Sequence, residues 1–303
     1  MKHTPRHLIL AFACSLTATF AQAQTSKPVE IKDVPPATQQ GTAKPTGGGK
    51  YSPPFPAKKN LPTLWLIGDS TVRNGSTGSN APDGQWGWGA PITAFFNPTK
   101  INVVNRAFGG TSSRSFYRDA FWNDLKPLIK KGDFVIIQFG ANDNGGAKGK
   151  GALSGTGDET AMNDSETVHT FGWYLAQFVS ETRAQGATPI ICSLTPRKGW
   201  NEDNTFKRAG AHAVWAEEIA KKTNTPFIPL SNLIAERYEK LGKEAVDSLY
   251  VPSPKENLHP GWEGAVINAE CVISGLKALS ANPLAAYFSP RADSIPAATK
   301  TTP

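Results

Sequence analysis

Residues 64–71 read Leu-Trp-Leu-Ile-Gly-Asp-Ser-Thr, four apolar residues followed by a glycine and three polar residues. A continuous apolar run of this length is typical of a strand buried on both faces of a parallel sheet. The glycine permits a sharp turn, so the polar residues would stand at the carboxyl end of the strand. Four further runs of the same kind predict strands, and they are Asn102–Val104, Phe134–Phe139, Pro189–Cys192 and Phe227–Pro229.

Apolar residues at helical spacing occur between and after these runs. They are Phe171, Tyr174, Leu175, Phe178 and Val179 in one segment and Val266, Ala269, Val272, Ile273 and Leu276 in another. Alternating strands and helices predict an α/β fold, a three-layer α/β/α sandwich with a five-stranded parallel sheet, over residues 61–288. Such sheets bind ligands at the carboxyl ends of their strands, so the chemistry is expected there.

The first 23 residues have the pattern of a secretory signal peptide. Lys2 and Arg6 give a positive start, Leu8–Phe20 is a mainly apolar run, and Ala21-Gln22-Ala23 offers a small-x-small cleavage site. The apolar run is shorter than the about 20 residues that a membrane span needs. We therefore expect cleavage after Ala23, export to the periplasm or beyond the cell, and no membrane span.

Residues 24–60 and 289–303 are rich in Pro, Thr and other residues that disfavour regular structure. These segments predict a disordered spacer and a disordered tail that flank the domain. A tethering role for the spacer is the alternative interpretation.

The net charge of the chain indicates the class of molecule that it binds. The chain has 303 residues, of which 39% are hydrophobic, and its formal charge of +7 falls to +5 without Lys2 and Arg6. A modest positive charge outside the cytoplasm favours an acidic partner such as a uronic-acid polysaccharide or an anionic envelope. The sequence has no basic run with interleaved aromatics, so we expect no nucleic-acid partner.

Only Cys192 and Cys271 follow the signal peptide, and we expect them to be buried rather than paired.

Three consecutive strand ends carry groups suited to one acyl-transfer site. Ser70 follows the first strand, the pair Gly109-Gly110 follows the second, and Asn142 follows the third. A serine hydroxyl is a nucleophile, while a Gly110 N–H and an Asn142 amide are donors for a developing oxyanion. Each of these segments alone has an ordinary loop interpretation, but their coincidence at one sheet edge indicates a reaction site.

The histidines that follow the signal peptide are His169, His212 and His259. His212 lies in an amphipathic helical segment and is expected to be packed or on the surface. His169 precedes the helix that begins near Phe171 and could line the cleft. His259 lies just before the final helix, with Glu256 three residues upstream. A carboxylate at that spacing could accept the Nδ1–H of the imidazole and fix its tautomer.

These segments, in this order, resemble the blocks of the SGNH (GDSL-type) hydrolases. The matching residues are Gly68-Asp69-Ser70, Gly110, Gly140-x-Asn142-Asp143 and a late carboxylate-x-x-His259. The segments Gly109–Ser115, Val168–Phe171, Ser193–Arg197 and His259–Ala269 are similar to the rhamnogalacturonan acetylesterase branch in particular. The resemblance spans Leu64 to Leu279 and implies a flavodoxin-like fold.

The resemblance also implies roles for individual residues. Ser70 would be the nucleophile and His259 the general base, while the Ser70 N–H, the Gly110 N–H and the Asn142 amide would form the oxyanion hole. The family usually has aspartate three residues before the histidine, whereas this chain has Glu256, one methylene longer. The family chemistry needs no metal or cofactor, and the chain has no HExxH, Walker or GxGxxG motif.

Candidate substrate-binding residues are fewer and less specific. Trp200 could stack on a sugar ring, and Arg114 or Arg197 could meet a uronate carboxylate; His169 completes this set. Trp86 and Trp88 are expected to pack beneath a helix that follows the nucleophile, although stacking on sugars is the alternative.

The sequence thus predicts an exported, monomeric serine esterase that removes acetyl groups from an acetylated and acidic polysaccharide, with pectic rhamnogalacturonan first. Acetylated xylan, another glycan or a lipid ester are alternative substrates. A non-catalytic glycan-binding protein is an alternative of a different class.

Overall fold

A five-stranded parallel sheet forms the centre of the computed structural model, which describes residue 1 and residues 54–75, 84–164, 166–250 and 256–299. Its strands are β1 (Thr63–Gly68), β2 (Asn102–Asn105), β3 (Phe134–Gln138), β6 (Thr188–Cys192) and β7 (Phe227–Ile228). They are ordered β2-β1-β3-β6-β7 and all neighbours are parallel. All five predicted strands are therefore confirmed, and no strand end differs from its predicted position by more than one residue.

Helices cover both faces of the sheet. They are α1 (Ser113–Arg118), α2 (Phe121–Leu125), α3 (Phe171–Ala184), α4 (Ala211–Lys222), α5 (Leu230–Leu241), α6 (Lys243–Ser248) and α7 (Trp262–Ala278). Short 3-10 helices span Pro91–Phe95, Lys126–Leu128, Ala285–Tyr287 and Pro290–Ser294. The side chains of α1 to α4 pack with Trp65 and Ile67 of β1, while α5 and α7 contact each other on the opposite face. The expected three-layer α/β/α sandwich is confirmed.

The central strands are apolar at consecutive positions because both of their faces are covered. Every residue of β1 and β3 is buried. Alternate side chains of a strand point to opposite faces, so neighbours such as Leu64 and Trp65 enter different helix layers. The polar residues of these two strands, Thr63 and Gln138, therefore stand at the strand termini.

A small antiparallel hairpin lies outside the main sheet and was not predicted. It consists of β4 (Thr160–Asn163) and β5 (Glu166–His169). Most of its residues are at least partly exposed, so it lacks the apolar run that marks a buried strand.

The prediction of a disordered tail from residue 289 is wrong for residues 289–299. The Ser289 hydroxyl donates to the Ala94 carbonyl at 2.7 Å, and the Ala298 N–H donates to the Ser274 carbonyl at 3.0 Å. Ala292 and Ile295 are buried. Proline and alanine in this segment therefore cover the end of α7, which composition alone does not reveal.

The expected boundary at residue 61 also moves. The Lys58 N–H donates to Asn102 Oδ1 at 3.0 Å, and Arg106 donates to the Pro54 carbonyl at 3.2 Å, so residues 54–60 pack on β2. The remainder of the predicted spacer, residues 24–53, and the predicted signal peptide after Met1 lie outside the described residues. Within the described ranges, none of the helices combines the length and apolar character needed to cross a bilayer.

Both cysteines that follow the predicted signal peptide are buried and unpaired. Cys192 ends β6, and Cys271 lies within α7. They pack as small apolar side chains, as expected from their apolar surroundings in the sequence.

Candidate active site

The carboxyl ends of β1, β2 and β3 meet at a cavity of about 320 Å³. Ser70, Gly110 and Asn142 line it, and so does His259 from the loop before α7. The parallel sheet brings the first three together because β1, β2 and β3 are neighbours, as the order β2-β1-β3 requires. The imidazole of His259 comes from a loop that lies far from these three residues in the sequence.

Ser70, His259 and Glu256 form a continuous hydrogen-bonded series. His259 Nε2 lies 2.8 Å from Ser70 Oγ, and His259 Nδ1 lies 3.0 Å from Glu256 Oε2. A carboxylate only accepts hydrogen bonds, so the ring proton belongs on Nδ1 and Nε2 is left to accept from the serine hydroxyl. This is the tautomer that a general base needs.

Glu256 is held by four donors. Its Oε1 accepts the N–H groups of Leu258 and His259, each at 2.8 Å, and its Oε2 accepts from Gln85 Nε2 at 2.9 Å as well as from the imidazole. Burial alone would raise the pKa of Glu256, but hydrogen bonds from His259 and Leu258 outweigh it, so its pKa lies below the ordinary value. The side chain therefore stays ionised. Because the loop folds back on this carboxylate, the longer glutamate reaches the imidazole.

The turn that carries Ser70 is built by close packing rather than by a helix. Residues 69–73 form turns, with the N–H groups of Val72 and Arg73 donating to the Asp69 carbonyl at 3.2 and 3.1 Å. A Cβ atom on Gly68 would lie 2.5 Å from both the Gln138 carbonyl oxygen and Val72 Cγ2. Only glycine fits between β1 and this turn.

A buried polar chain supports the turn from below. Trp88 Nε1 donates to Gln138 Oε1, Gln138 Nε2 donates to Thr71 Oγ1, and Thr71 Oγ1 donates to Asp69 Oδ1, at 2.6, 2.6 and 2.8 Å. Burial raises the pKa of Asp69, against the hydrogen bonds from Thr71. Trp88 and Trp86 are both buried, with Trp86 edge-on to Trp262, so they pack beneath the nucleophile's turn instead of facing a sugar.

Asn142 and Gly110 add N–H donors to the cavity wall. Asn142 Nδ2 donates one of its two N–H groups to the Thr111 carbonyl at 2.9 Å, which fixes the amide plane at the cavity wall. Gly110 has φ +77°, a left-handed conformation that favours glycine. Asp143 anchors both segments because it accepts from the Ser113 N–H at 3.0 Å and from the Ser113 hydroxyl. Burial raises the pKa of Asp143 to about 7.

Arg114 does not lie where a substrate-binding role requires. Its side chain is fully buried and forms a two-pronged ion pair with Glu166 at 2.6 and 3.0 Å. It also donates to the carbonyls of Ala147, Gly149 and Gly151 at 3.1 to 3.3 Å. Its donors are committed to holding the 147–151 loop and the β4–β5 hairpin, so the prediction of a substrate contact is wrong.

The other three substrate-binding candidates lie outside the lining of this cavity. Arg197 is exposed and donates to Asn257 Oδ1 at 3.1 Å, beside the loop that carries His259. Trp200 packs edge-on against Phe206. His169 stacks on Trp173 at 3.8 Å between ring centres. His212 packs edge-on against Phe171, as a histidine on an amphipathic helix would.

Sequence reasoning missed Gln85. It contacts Glu256 across 171 residues of chain, and a glutamine in a polar loop carries no signal that separates it from its neighbours. The only available hint was its position beside the two tryptophans that pack under the nucleophile's turn.

A hydroxyl, an imidazole and a carboxylate in series beside two oxyanion donors, at the carboxyl edge of an α/β/α sheet, define a hydrolase of acyl esters. The family model of the GDSL-like Lipase/Acylhydrolase family matches residues 66–267. The chain belongs to this family, the SGNH hydrolases.

Relatives and a solved structure agree with this assignment. The chain is 30% identical over 222 residues to a rhamnogalacturonan acetylesterase of Emericella nidulans, covering 71% of this chain and 84% of the relative. It is 26% identical over 218 residues to a probable rhamnogalacturonan acetylesterase of Bacillus subtilis, YesY, covering 71% and 93%. The crystal structure of Bacillus subtilis YxiM shares the fold with a TM-score of 0.60 at 22% identity, over 72% of this chain and 56% of that longer protein. Within the SGNH hydrolases, the chain therefore belongs to the rhamnogalacturonan acetylesterase-like branch.

Proposed function

We propose that this protein is an exported carbohydrate esterase that removes O-acetyl groups from a plant cell-wall polysaccharide through a serine acyl-enzyme, with pectic rhamnogalacturonan as the first substrate. The observation that carries the proposal is the series Ser70–His259–Glu256, with contacts of 2.8 and 3.0 Å. The names of the relatives support the acetylated pectic substrate.

The first half-reaction transfers the acetyl group to the enzyme. Ser70 Oγ attacks the acetyl carbonyl carbon while His259 Nε2 takes the hydroxyl proton. The carbonyl oxygen becomes an oxyanion that accepts from the Ser70 N–H, the Gly110 N–H and the second Asn142 N–H. As the carbon–oxygen bond to the sugar breaks, the imidazolium returns its proton to the departing sugar oxygen.

The second half-reaction restores the enzyme. Water takes the place of the sugar hydroxyl, loses a proton to His259 Nε2 and attacks the acetyl-serine. Collapse of the second oxyanion breaks the bond to Ser70 Oγ, which takes the proton back from His259 Nε2, and acetic acid leaves. Glu256 stays ionised throughout and stabilises the imidazolium through the Nδ1 contact. One ester and one water yield one sugar hydroxyl and one acetic acid.

A comparison of two polymers tests both the chemistry and the substrate. Acetate release from acetylated rhamnogalacturonan and acetylated xylan should be measured for the wild type, Ser70→Ala and Ser248→Ala. Ser248 is an exposed serine at the end of α6 and is the matched control. Serine-dependent release that favours rhamnogalacturonan is expected. Release from xylan alone would contradict the substrate and keep the mechanism, whereas release that survives Ser70→Ala would contradict the mechanism.

Export is part of the proposal and has its own test. The signal-like N-terminus supports it, and N-terminal sequencing of the protein recovered from outside the cytoplasm should begin at Gln24. A first residue upstream of Gln24 in that material would contradict the proposed cleavage site.

A further inference from the structure

A cationic side chain lies in the cavity beside the nucleophile and is not used by the mechanism. Arg73 lines the same space of about 320 Å³ as Ser70 and His259. The other described lining residues are neutral apart from the imidazole, so Arg73 is the one permanent charge among them.

The backbone of Arg73 is fixed at both ends. Its N–H donates to the Asp69 carbonyl at 3.1 Å, and its own carbonyl accepts from the Gly87 N–H at 3.0 Å. Because the residue belongs to the turn that carries Ser70, its position relative to the nucleophile is set by the fold. The side chain therefore starts from a rigid base.

The guanidinium end lies against Gly109. A Cβ atom placed on Gly109 would be 3.1 Å from Cδ, Nε and Cζ of Arg73. The next residue is Gly110, the proposed oxyanion donor. The charge is thus held at the cavity wall beside the proposed oxyanion donor.

This guanidinium is left without a full set of partners. Its Nε is buried and has no hydrogen-bond partner among the described residues. Burial lowers the pKa of Arg73, and the negative charge of Asp69 opposes that effect. The contrast with Arg114 is instructive, because every nitrogen of that buried side chain has an acceptor. Because the Nε is itself buried, an anion that enters the cavity would meet the terminal N–H groups of Arg73.

We propose that Arg73 forms an anion-binding subsite for a uronate carboxylate of the acetylated polymer; this inference rests on the proposed function. A guanidinium is planar and matches a carboxylate with two parallel hydrogen bonds. The subsite would make the enzyme prefer uronate-containing polymers over neutral ones, and it assigns to Arg73 the role that sequence reasoning gave to Arg114 or Arg197.

The test compares one polymer in two charge states. Values of kcat/KM should be measured on acetylated rhamnogalacturonan with free carboxylates and on the same polymer after methyl esterification of the carboxylates. Arg73→Gln should lower the ratio of the two values about 10- to 100-fold, mainly through KM for the acidic form, as expected for lost hydrogen bonds to a charged group. Arg208→Gln removes an exposed arginine that pairs with Glu239 outside the cavity lining and is the matched control. Arg197→Gln tests the other arginine that the sequence proposed for the carboxylate.

Two results would overturn the proposal. Equal losses on both forms of the polymer would mean that Arg73 supports the turn or the oxyanion hole. A change in the ratio caused by Arg197→Gln and not by Arg73→Gln would place the carboxylate elsewhere.

A second readout separates this proposal from the proposed function. Free galacturonate should inhibit hydrolysis of 4-nitrophenyl acetate by the wild type more strongly than galactose does, and Arg73→Gln should abolish that difference. One outcome is that the wild type releases no acetate from acetylated rhamnogalacturonan or acetylated xylan and is still inhibited more strongly by galacturonate than by galactose in a way that depends on Arg73. In that case the proposed function fails and the subsite is supported. If galacturonate and galactose inhibit equally, the subsite is refuted even where acetate is released.

Discussion

Replacing Glu256 with glutamine would test how the imidazole is oriented. The two carboxylate oxygens accept four hydrogen bonds, from the N–H groups of Leu258 and His259 on one side and from Gln85 and the His259 ring on the other. An amide replaces one acceptor oxygen by a donor. The backbone N–H groups cannot turn away, so the remaining oxygen of the substituted side chain would face them and its NH₂ would face the imidazole.

The expected loss follows from the tautomer. Gln85 can turn its own amide over and accept from the new NH₂. His259 can pair with the new NH₂ only by accepting its N–H at Nδ1. The ring proton then lies on Nε2, 2.8 Å from Ser70 Oγ. That tautomer cannot take the serine proton. The same change in a serine protease triad lowers kcat about 10⁴-fold, so we expect a loss of about 10³- to 10⁴-fold here, or roughly 4–5.5 kcal/mol of transition-state stabilisation.

Glu256→Asp is the matched variant because it keeps the charge and shortens the side chain. The carboxylate would retain the correct tautomer but could not reach all four donors. A misplacement on the scale of 1 Å costs up to about 10²-fold, so the aspartate variant should lie between the wild type and Glu256→Gln.

Initial rates of 4-nitrophenyl acetate hydrolysis at saturating substrate give kcat for the three proteins, with thermal unfolding as a check that each is folded. KM should change little, because Glu256 acts on the imidazole. A folded Glu256→Gln enzyme that keeps more than a tenth of the wild-type kcat would refute the assignment of tautomer control to this carboxylate.

Three further perturbations address the other parts of the site and its scaffold. Asn142→Ala should lower kcat about 10²- to 10³-fold, with Asn144→Ala at an exposed position as the control. A kcat close to that of the control would show that the Asn142 amide does not bind the oxyanion. Arg114→Leu should destabilise the fold by about 2–4 kcal/mol in urea unfolding without raising KM, because the carbonyls of Ala147, Gly149 and Gly151 lose their donor and Glu166 keeps only its contact with Arg118. A raised KM with unchanged stability would restore Arg114 as a substrate contact. Asp143 has a raised pKa of about 7, so the folded state keeps a proton that the unfolded state releases near pH 4. The free energy of unfolding of the wild type, relative to that of Asp143→Asn, should therefore fall by about 1.4 kcal/mol per pH unit between about pH 4 and 7. Above about pH 7 it should level off. A difference between these two proteins that is independent of pH would show that Asp143 is already ionised in the fold.

Much of the fold was predictable because burial leaves a local pattern. Leu64–Ile67 and Phe134–Ile137 are consecutive apolar runs, which are typical of a strand covered on both faces. The β4–β5 hairpin escaped prediction for the same reason, since a mostly exposed hairpin needs no apolar run. The tail from Ser289 escaped because a few small apolar residues suffice to cover the end of a helix.

The fold class and the groups that meet at Ser70 could be predicted from the sequence, because parallel strands place the polar residues that follow them at one edge of the sheet. The role of each charged or amide side chain at that edge depends on contacts that form only in the folded chain. Arg114 lies in α1 and Arg73 in the turn that carries Ser70, and the first is committed to Glu166 whereas the second lines the cavity. Gln85 reaches Glu256 from 171 residues away. The physical reason is that the partner of a polar group is set by whichever atoms the fold brings within about 3 Å, and contacts between distant parts of the chain leave no periodic trace in the sequence.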